Sequence, residues 1–209
     1  MRDRLISLAQ THPTWALGFA DEVWWSRVAQ PAVHAWTAPK QPLRLVEPTV
    51  AQGEPKALAC YGLLVRWWEE PAADDPTEAM WLRFVDGRPI SGVTTQYLAW
   101  CCNRAAATGK TALLLVWDNA SWHISQEVRT WIGDHNRRVK AGEAVVRLVA
   151  CPLPVKSPWL NPIEPKWVHG KKRVVEPARL LTMDELETRV YAALGADHAD
   201  HLAMPQQAA

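Results

Sequence analysis

Up to Val85 the apolar positions fall in short blocks separated by turn residues; beyond it they alternate between helical spacing and unbroken runs. Trp15–Ala20 reads as a strand with Trp15, Leu17, Phe19 and then Asp21 on one side of the pleat. Val23–Val28 is expected to turn back and pair with it antiparallel. Leu43–Val46, Leu58–Trp67 and Met80–Val85 supply further strands, with a solvated acidic turn over Glu69–Thr77. Thr94–Ala107 has helical composition and closes at Gly109. Thr111–Trp117 is continuous and apolar, the mark of a strand buried on both faces. Ser125–Val139 is predicted helical, Val145–Ala150 a strand, Pro152–Pro162 a proline-punctuated loop and Asn161–Val174 a helix. Thr182 and Glu185 form a capping box that opens a last helix to Leu194, and the tail after it is expected to fray.

Adjoining strands followed by helix, strand, helix, strand, helix specify an α/β fold. The expected sheet is mixed, an antiparallel meander and then parallel strands, flanked by helices.

Charge changes this picture locally. Lys plus Arg number 23 against 22 Asp plus Glu, but Ile124–Arg179 carries eleven basic and five acidic residues. That basic half suits a polyphosphate backbone or, equally, forms a solvated face. The four cysteines have no C-x-x-C spacing, which argues against a zinc knuckle or a disulfide framework and for a reducing compartment. No apolar window approaches the roughly 20 residues of a membrane span, and no signal peptide is evident. The expectation is a soluble, cytoplasmic protein. Most of the thirteen tryptophans are expected in packing, while Trp24, Trp25, Trp36, Trp122 and Trp159 lie near acids or in loops where a base or sugar can stack. His198 and His201 share a helical spacing but fall in the tail.

Three acids stand out. Asp118 follows the buried strand at its carboxyl end, where open α/β sheets place their chemistry, with Asn119, Ser121 and His123 next to it. An Asp-Asn turn pair explains the same residues. Asp21 ends a strand beside Glu22, and opposite pleat parity lets only one of the two enter a shared site. Glu164 has two readings. As the third residue after an Asn161 cap with Pro162 between, it is a capping-box acid; after the stiff loop bearing Pro154, Pro158 and Pro162, it is a well-fixed metal ligand. Carboxylate oxygens alone suit Mg²⁺, with Mn²⁺ as substitute. Two such ions can activate a water or hydroxyl and steady the departing oxygen of a phosphodiester. Lys156, Lys166, Lys171, Lys172 and Arg173 surround the same helix and are expected to hold the DNA backbone.

The segments Asp21-Glu22, Trp36-x-x-Pro-Lys40, Trp117-Asp-Asn-Ala-Ser-Trp-His123 and Ser157-Pro-Trp-Leu-Asn-Pro-Ile-Glu164 occur in an order that resembles DDE transposases of the mariner-like superfamily, in their bacterial insertion-sequence branch. The resemblance spans Leu17–Val175. It implies a ribonuclease H-like catalytic domain in which Asp21, Asp118 and Glu164 bind two Mg²⁺ ions, with Glu22, Asn119, His123 and Asn161 supporting them. It implies cutting at terminal inverted repeats, 3′-hydroxyl strand transfer into double-stranded target DNA, and a homodimer in the synaptic complex, with no membrane partner. On this basis residues 1–14 are expected to be a linker remnant, 15–175 the catalytic domain, and 176–209 a C-terminal helix and frayed tail. A helix-turn-helix domain that reads the inverted repeats is expected to be missing from the chain. The alternatives are another ribonuclease H-like nuclease, or an inactive remnant that only binds DNA or a partner.

Overall fold

The computed structural model describes residues 2–28, 49–71, 75–155, 157–174, 176 and 179–205. The expected Trp36–Lys40 loop, the Leu43–Val46 strand and Lys156 lie outside them. In chain order the elements are α1 (Arg2–Gln10), β1 (Trp15–Ser26), β2 (Ala57–Trp67), β3 (Thr77–Val85), α2 (Ser91–Ala107), β4 (Ala112–Trp117), α3 (Gln126–Lys140), β5 (Arg147–Pro152), α4 (Glu164–Val174) and α5 (Met183–Leu194). The five strands form one sheet in the order β3-β2-β1-β4-β5. The β1–β2 and β2–β3 pairs are antiparallel; β1–β4 and β4–β5 are parallel. This is the mixed sheet expected from the order of elements.

Two apolar layers sandwich the sheet. Leu17, Phe19, Val23, Trp25 and Val116 face α4 and α5 through Trp167, Leu186, Val190 and Tyr191. Ala16, Ala20, Leu113, Leu115 and Trp117 face α2 and α3 through Val93, Leu98 and Val128. All of β4 is buried, as its unbroken apolar run requires.

Four expectations need correction. Val23–Val28 does not turn back: β1 continues straight through Asp21 and Glu22 to Ser26, every residue from Leu17 onward paired with β2. The polar pair does not end the strand because both carboxylates find side-chain donors from distant segments, Trp167 for Asp21 and Trp122 and His123 for Glu22. At the N-terminus, residues 2–10 are not a linker but a helix packed on the sheet, with Ala9 fully buried.

The tail after Leu194 does not fray up to Pro205. Gly195 caps α5 in the left-handed conformation that favours glycine, and Leu202 then bridges Val85 in parallel. Its N–H donates to Phe84 and its carbonyl accepts from Asp86 N–H. His201 sits between Asp86 and Glu187, and His198 lies against the Tyr191 ring. Finally, α4 begins at Glu164 instead of Asn161, after a turn in which Glu164 N–H donates to the Asn161 carbonyl. Thr182 and Glu185 do form the capping box.

Candidate active site

The sheet register relates two of the acids. The parallel β1–β4 ladder pairs Trp15 with Ala112 and Phe19 with Val116. The ladder ends there; Asp21 lies two positions beyond Phe19 in β1, and Asp118 two positions beyond Val116, as the residue that follows β4. Asp21 is an even step from Leu17 and Phe19 of the layer beneath α4 and stands on that face, whereas the Asp118 carboxylate, past the end of β4, is hydrogen-bonded to His123 on the Glu22 side. The helix α4 then presents Glu164 from its first turn, and Glu164 is close enough to act on the charge of Asp21.

Asp21 is the strained member electrostatically. Burial, then the charge of Glu164 and that of Glu22, push its carboxyl up to about 7 despite a hydrogen bond from the Trp167 indole to Oδ2 at 2.8 Å. The Glu164 carboxylate makes no hydrogen bond among the described residues; in particular it does not reach back to the Asn161 amide, so the capping-box role is not taken.

Asp118 is arranged differently. Its Oδ1 accepts from Ala120 N–H at 2.9 Å and from His123 Nδ1 at 2.8 Å, and its side chain is half exposed. The hydrogen bond from His123 holds this carboxyl below its ordinary range. Burial alone would push the imidazole down, but the hydrogen bonds and charges of Asp118 and Glu22 overcome it and raise His123 to about 9. At neutral pH His123 is therefore an imidazolium donating from both nitrogens, to Asp118 and to Glu22 at 2.8 Å. It stacks on Trp117 with ring centroids 4.6 Å apart. Trp122 donates to the second oxygen of Glu22. Glu22 thus serves a buried chain of hydrogen bonds and points away from Asp21, as its pleat parity requires.

Asn119 and Asn161 pin loops. Asn119 donates to the Leu153 carbonyl, tying the end of β4 to that of β5, and buried Asn161 donates to the carbonyl of Ala20, the residue before Asp21. A cavity of about 340 Å³ opens beside Asp118, lined by Asn119, Leu153, Pro154, Val155 and Ser157. Among the described residues, no three His, Cys, Asp or Glu side chains are gathered tightly enough to grip an ion; Asp118 is turned towards His123.

The basic residues divide between two flanks of α4. Lys166 pairs with Glu78 at 2.6 Å and Arg173 donates to the Ala193 carbonyl, both lining a cavity against α5. Lys171 stands seven residues from Glu164, hence on the same face, and it and Lys172 are exposed without a partner among the described residues. Of the tryptophans, Trp25 is buried and Trp122 is engaged with Glu22, while Trp24 and Trp159 are exposed. Sequence reasoning missed Trp167 as a partner of Asp21 and Gly62 as the residue opposite Asp21. The available signals were an indole one turn after Glu164 and a glycine interrupting an apolar run.

The family model for DDE superfamily endonucleases matches residues 81–187, which is 107 of the 209 residues and includes Asp118 and Glu164. The chain belongs to the DDE superfamily endonucleases. Among solved structures, this DDE endonuclease chain is similar to the Mos1 transposase paired-end complex with left transposon end, with a TM-score of 0.60 and 15% identity over 94% of this chain and 53% of that one. A pre-cleavage Mos1 transpososome gives 0.56 and 14% over 94% and 53%, and a Mos1 mariner paired end complex with Mn gives 0.55 and 14% over 93% and 52%. The fold is the ribonuclease H-like mixed α/β sheet, and the chain spans about half the length of these neighbours. No curated protein matches it in sequence. No helix among the described residues is long and apolar enough to cross a membrane.

Proposed function

We propose that the chain is the catalytic part of a DNA transposase that cuts phosphodiester bonds at element ends and joins the freed 3′-hydroxyl to target DNA. One observation supports this reading: Asp21 in β1 and Asp118 just past β4 each follow the last paired residues of one parallel ladder by two positions, while Glu164 in the first turn of α4 acts on the charge of Asp21. Strands lie about 4.8 Å apart, a separation one ion can bridge once half-exposed Asp118 turns from His123. The donor set fits a hard divalent cation. It is made of carboxylate oxygens, the charges of Glu164 and Glu22 bear on buried Asp21, and Glu164 has no hydrogen-bond donor among the described residues. Asp21, Asp118 and Glu164 would hold two Mg²⁺ or Mn²⁺ ions, which supply activation of the attacking water or hydroxyl and stabilisation of the departing oxygen.

The protein's own groups do the remainder. His123, itself held by Glu22, keeps Asp118 ionised before an ion draws it over, and Asn161 ties the start of α4 to β1. Lys171 and Lys172 bind the phosphodiester backbone of double-stranded DNA beside the acids. The similar Mos1 structures include a paired-end complex with a left transposon end and a pre-cleavage transpososome, which supports element ends as substrate; the chain would pair two such ends as a homodimer, at the nucleoid in the cytoplasm.

Metal binding is tested without cleavage. In the absence of metal, the raised carboxyl of Asp21 means the folded state holds its proton more tightly than the unfolded state. Stability therefore falls as pH rises from the ordinary carboxylate range through about 7. Saturating Mg²⁺ should raise Tm by about 5 °C above pH 7, much less where Asp21 is protonated, and not at all in Asp21→Asn. A Tm indifferent to Mg²⁺ at every pH would exclude this ligand set.

DNA binding is tested by salt. Lys171→Gln with Lys172→Gln should flatten the slope of log affinity against log salt by about 2, whereas Lys166→Gln, already paired with Glu78, should leave it unchanged. Fluorescence anisotropy across a salt series decides; equal slopes for all three proteins would remove this flank of α4 from the DNA surface.

A further inference from the structure

We infer that Trp167 is the positioning residue of the first acid, holding the Asp21 carboxylate in place for a divalent cation, and that Gly62 exists to seat it. The inference rests on the metal-binding reading above. The Trp167 indole donates to Asp21 Oδ2 at 2.8 Å and is 3% exposed. An indole N–H is a donor only, so this contact fixes an acceptor oxygen and cannot be reversed. The ring has no room to leave: it meets Trp25 edge-on, with centroids 6.1 Å apart at 85°, and lies over the backbone of Gly62. Gly62 is the β2 residue directly opposite Asp21. A Cβ at that position would overlap Cη2 and Cζ2 of the indole and press on Ile163. Strand β2 is thus bare where the first acid needs its donor, and the vacancy is filled from α4.

The same helix carries Glu164, three residues and one turn before Trp167. Docking α4 therefore sets two acids together, Glu164 directly and Asp21 through the indole. A tryptophan serving only as packing would need its ring but not its nitrogen. Phenylalanine retains an aromatic ring against Trp25 and Gly62 and removes the N–H, which separates the two roles.

The experiment measures Mn²⁺ binding to the full chain by the electron paramagnetic resonance signal of the free ion, for the unsubstituted protein and for Trp167→Phe. The expected result is an affinity about 10-fold lower in Trp167→Phe, with a Tm within a few degrees of the original. A second measurement needs no substitution at Trp167: its assigned indole ¹H–¹⁵N resonance should move on titration with Mg²⁺, and should stay still in Asp21→Asn. Equal Mn²⁺ affinity in the two proteins, or an indole resonance indifferent to Mg²⁺ while Mn²⁺ binds, overturns the inference and leaves the metal site standing. No Mn²⁺ binding by the unsubstituted chain overturns the metal site and the inference together.

Discussion

Asp118→Asn is expected to leave the chain folded and to lower Mg²⁺-dependent DNA strand cleavage by roughly a thousandfold or more. The fold survives because the asparagine oxygen still accepts from Ala120 N–H and from the His123 imidazolium. The Asp118 side chain is half exposed, and buried His123 keeps Glu22 as its second acceptor, so the lost charge pair costs about 2 kcal/mol, too little to unfold the chain. The chemistry does not survive because a neutral amide is a far poorer ligand for a hard cation than a carboxylate. Asp118 is also held ionised by His123, whereas burial and neighbouring charges push Asp21 up to about 7. Melting by circular dichroism and nicking of duplex DNA with Mg²⁺ or Mn²⁺ separate the two effects. Full-rate cleavage by a folded Asp118→Asn protein would remove Asp118 from the metal site and with it the proposed mechanism.

The parts of this architecture that could be read from the chain are those fixed by local pattern. The apolar run before Asp118 identifies β4 because no polar residue interrupts it, and the capping box at Thr182 identifies the start of α5 because both partners lie within four residues. What escaped was set by partners far along the chain. Asp21 and Glu22 look like a strand end until Trp167 and Trp122 are known to reach them across 146 and 100 positions. Asn161 looks like a helix cap, yet its amide turns to the Ala20 carbonyl, and the helix waits for Glu164. The same non-local contacts that defeat the local reading assemble the site. Asn161 and Trp167 bracket Glu164 and fasten both ends of that turn to β1 at Ala20 and Asp21. Lys166 and Arg173, read from sequence alone as equivalent to Lys171, belong to the packing of α4 against β3 and α5.

The tail supplies the second large effect, on stability. Leu202→Ala is expected to destabilise the fold by about 3 kcal/mol, although nothing in the sequence around it marks a core position. Leu202 is 1% exposed and packs in the layer beneath α2 and α3. It extends the sheet past the β3 edge: its N–H donates to Phe84 at 2.7 Å and its carbonyl accepts from Asp86 at 3.0 Å. The residues on either side are fastened as well. Arg83 donates to the carbonyls of Asp200 and His201, and Gln96 to that of Ala203. With so many backbone groups held, the segment has little freedom to collapse into the space an alanine leaves, so the cavity term persists. An edge strand left bare would also expose unpaired N–H and C=O groups to a neighbouring chain. Urea unfolding checks this through a lower midpoint at unchanged m-value. A change below about 0.5 kcal/mol, the size expected for an ordinary surface substitution, would mean that the segment is not held against β3 in solution and that this edge of the sheet is open.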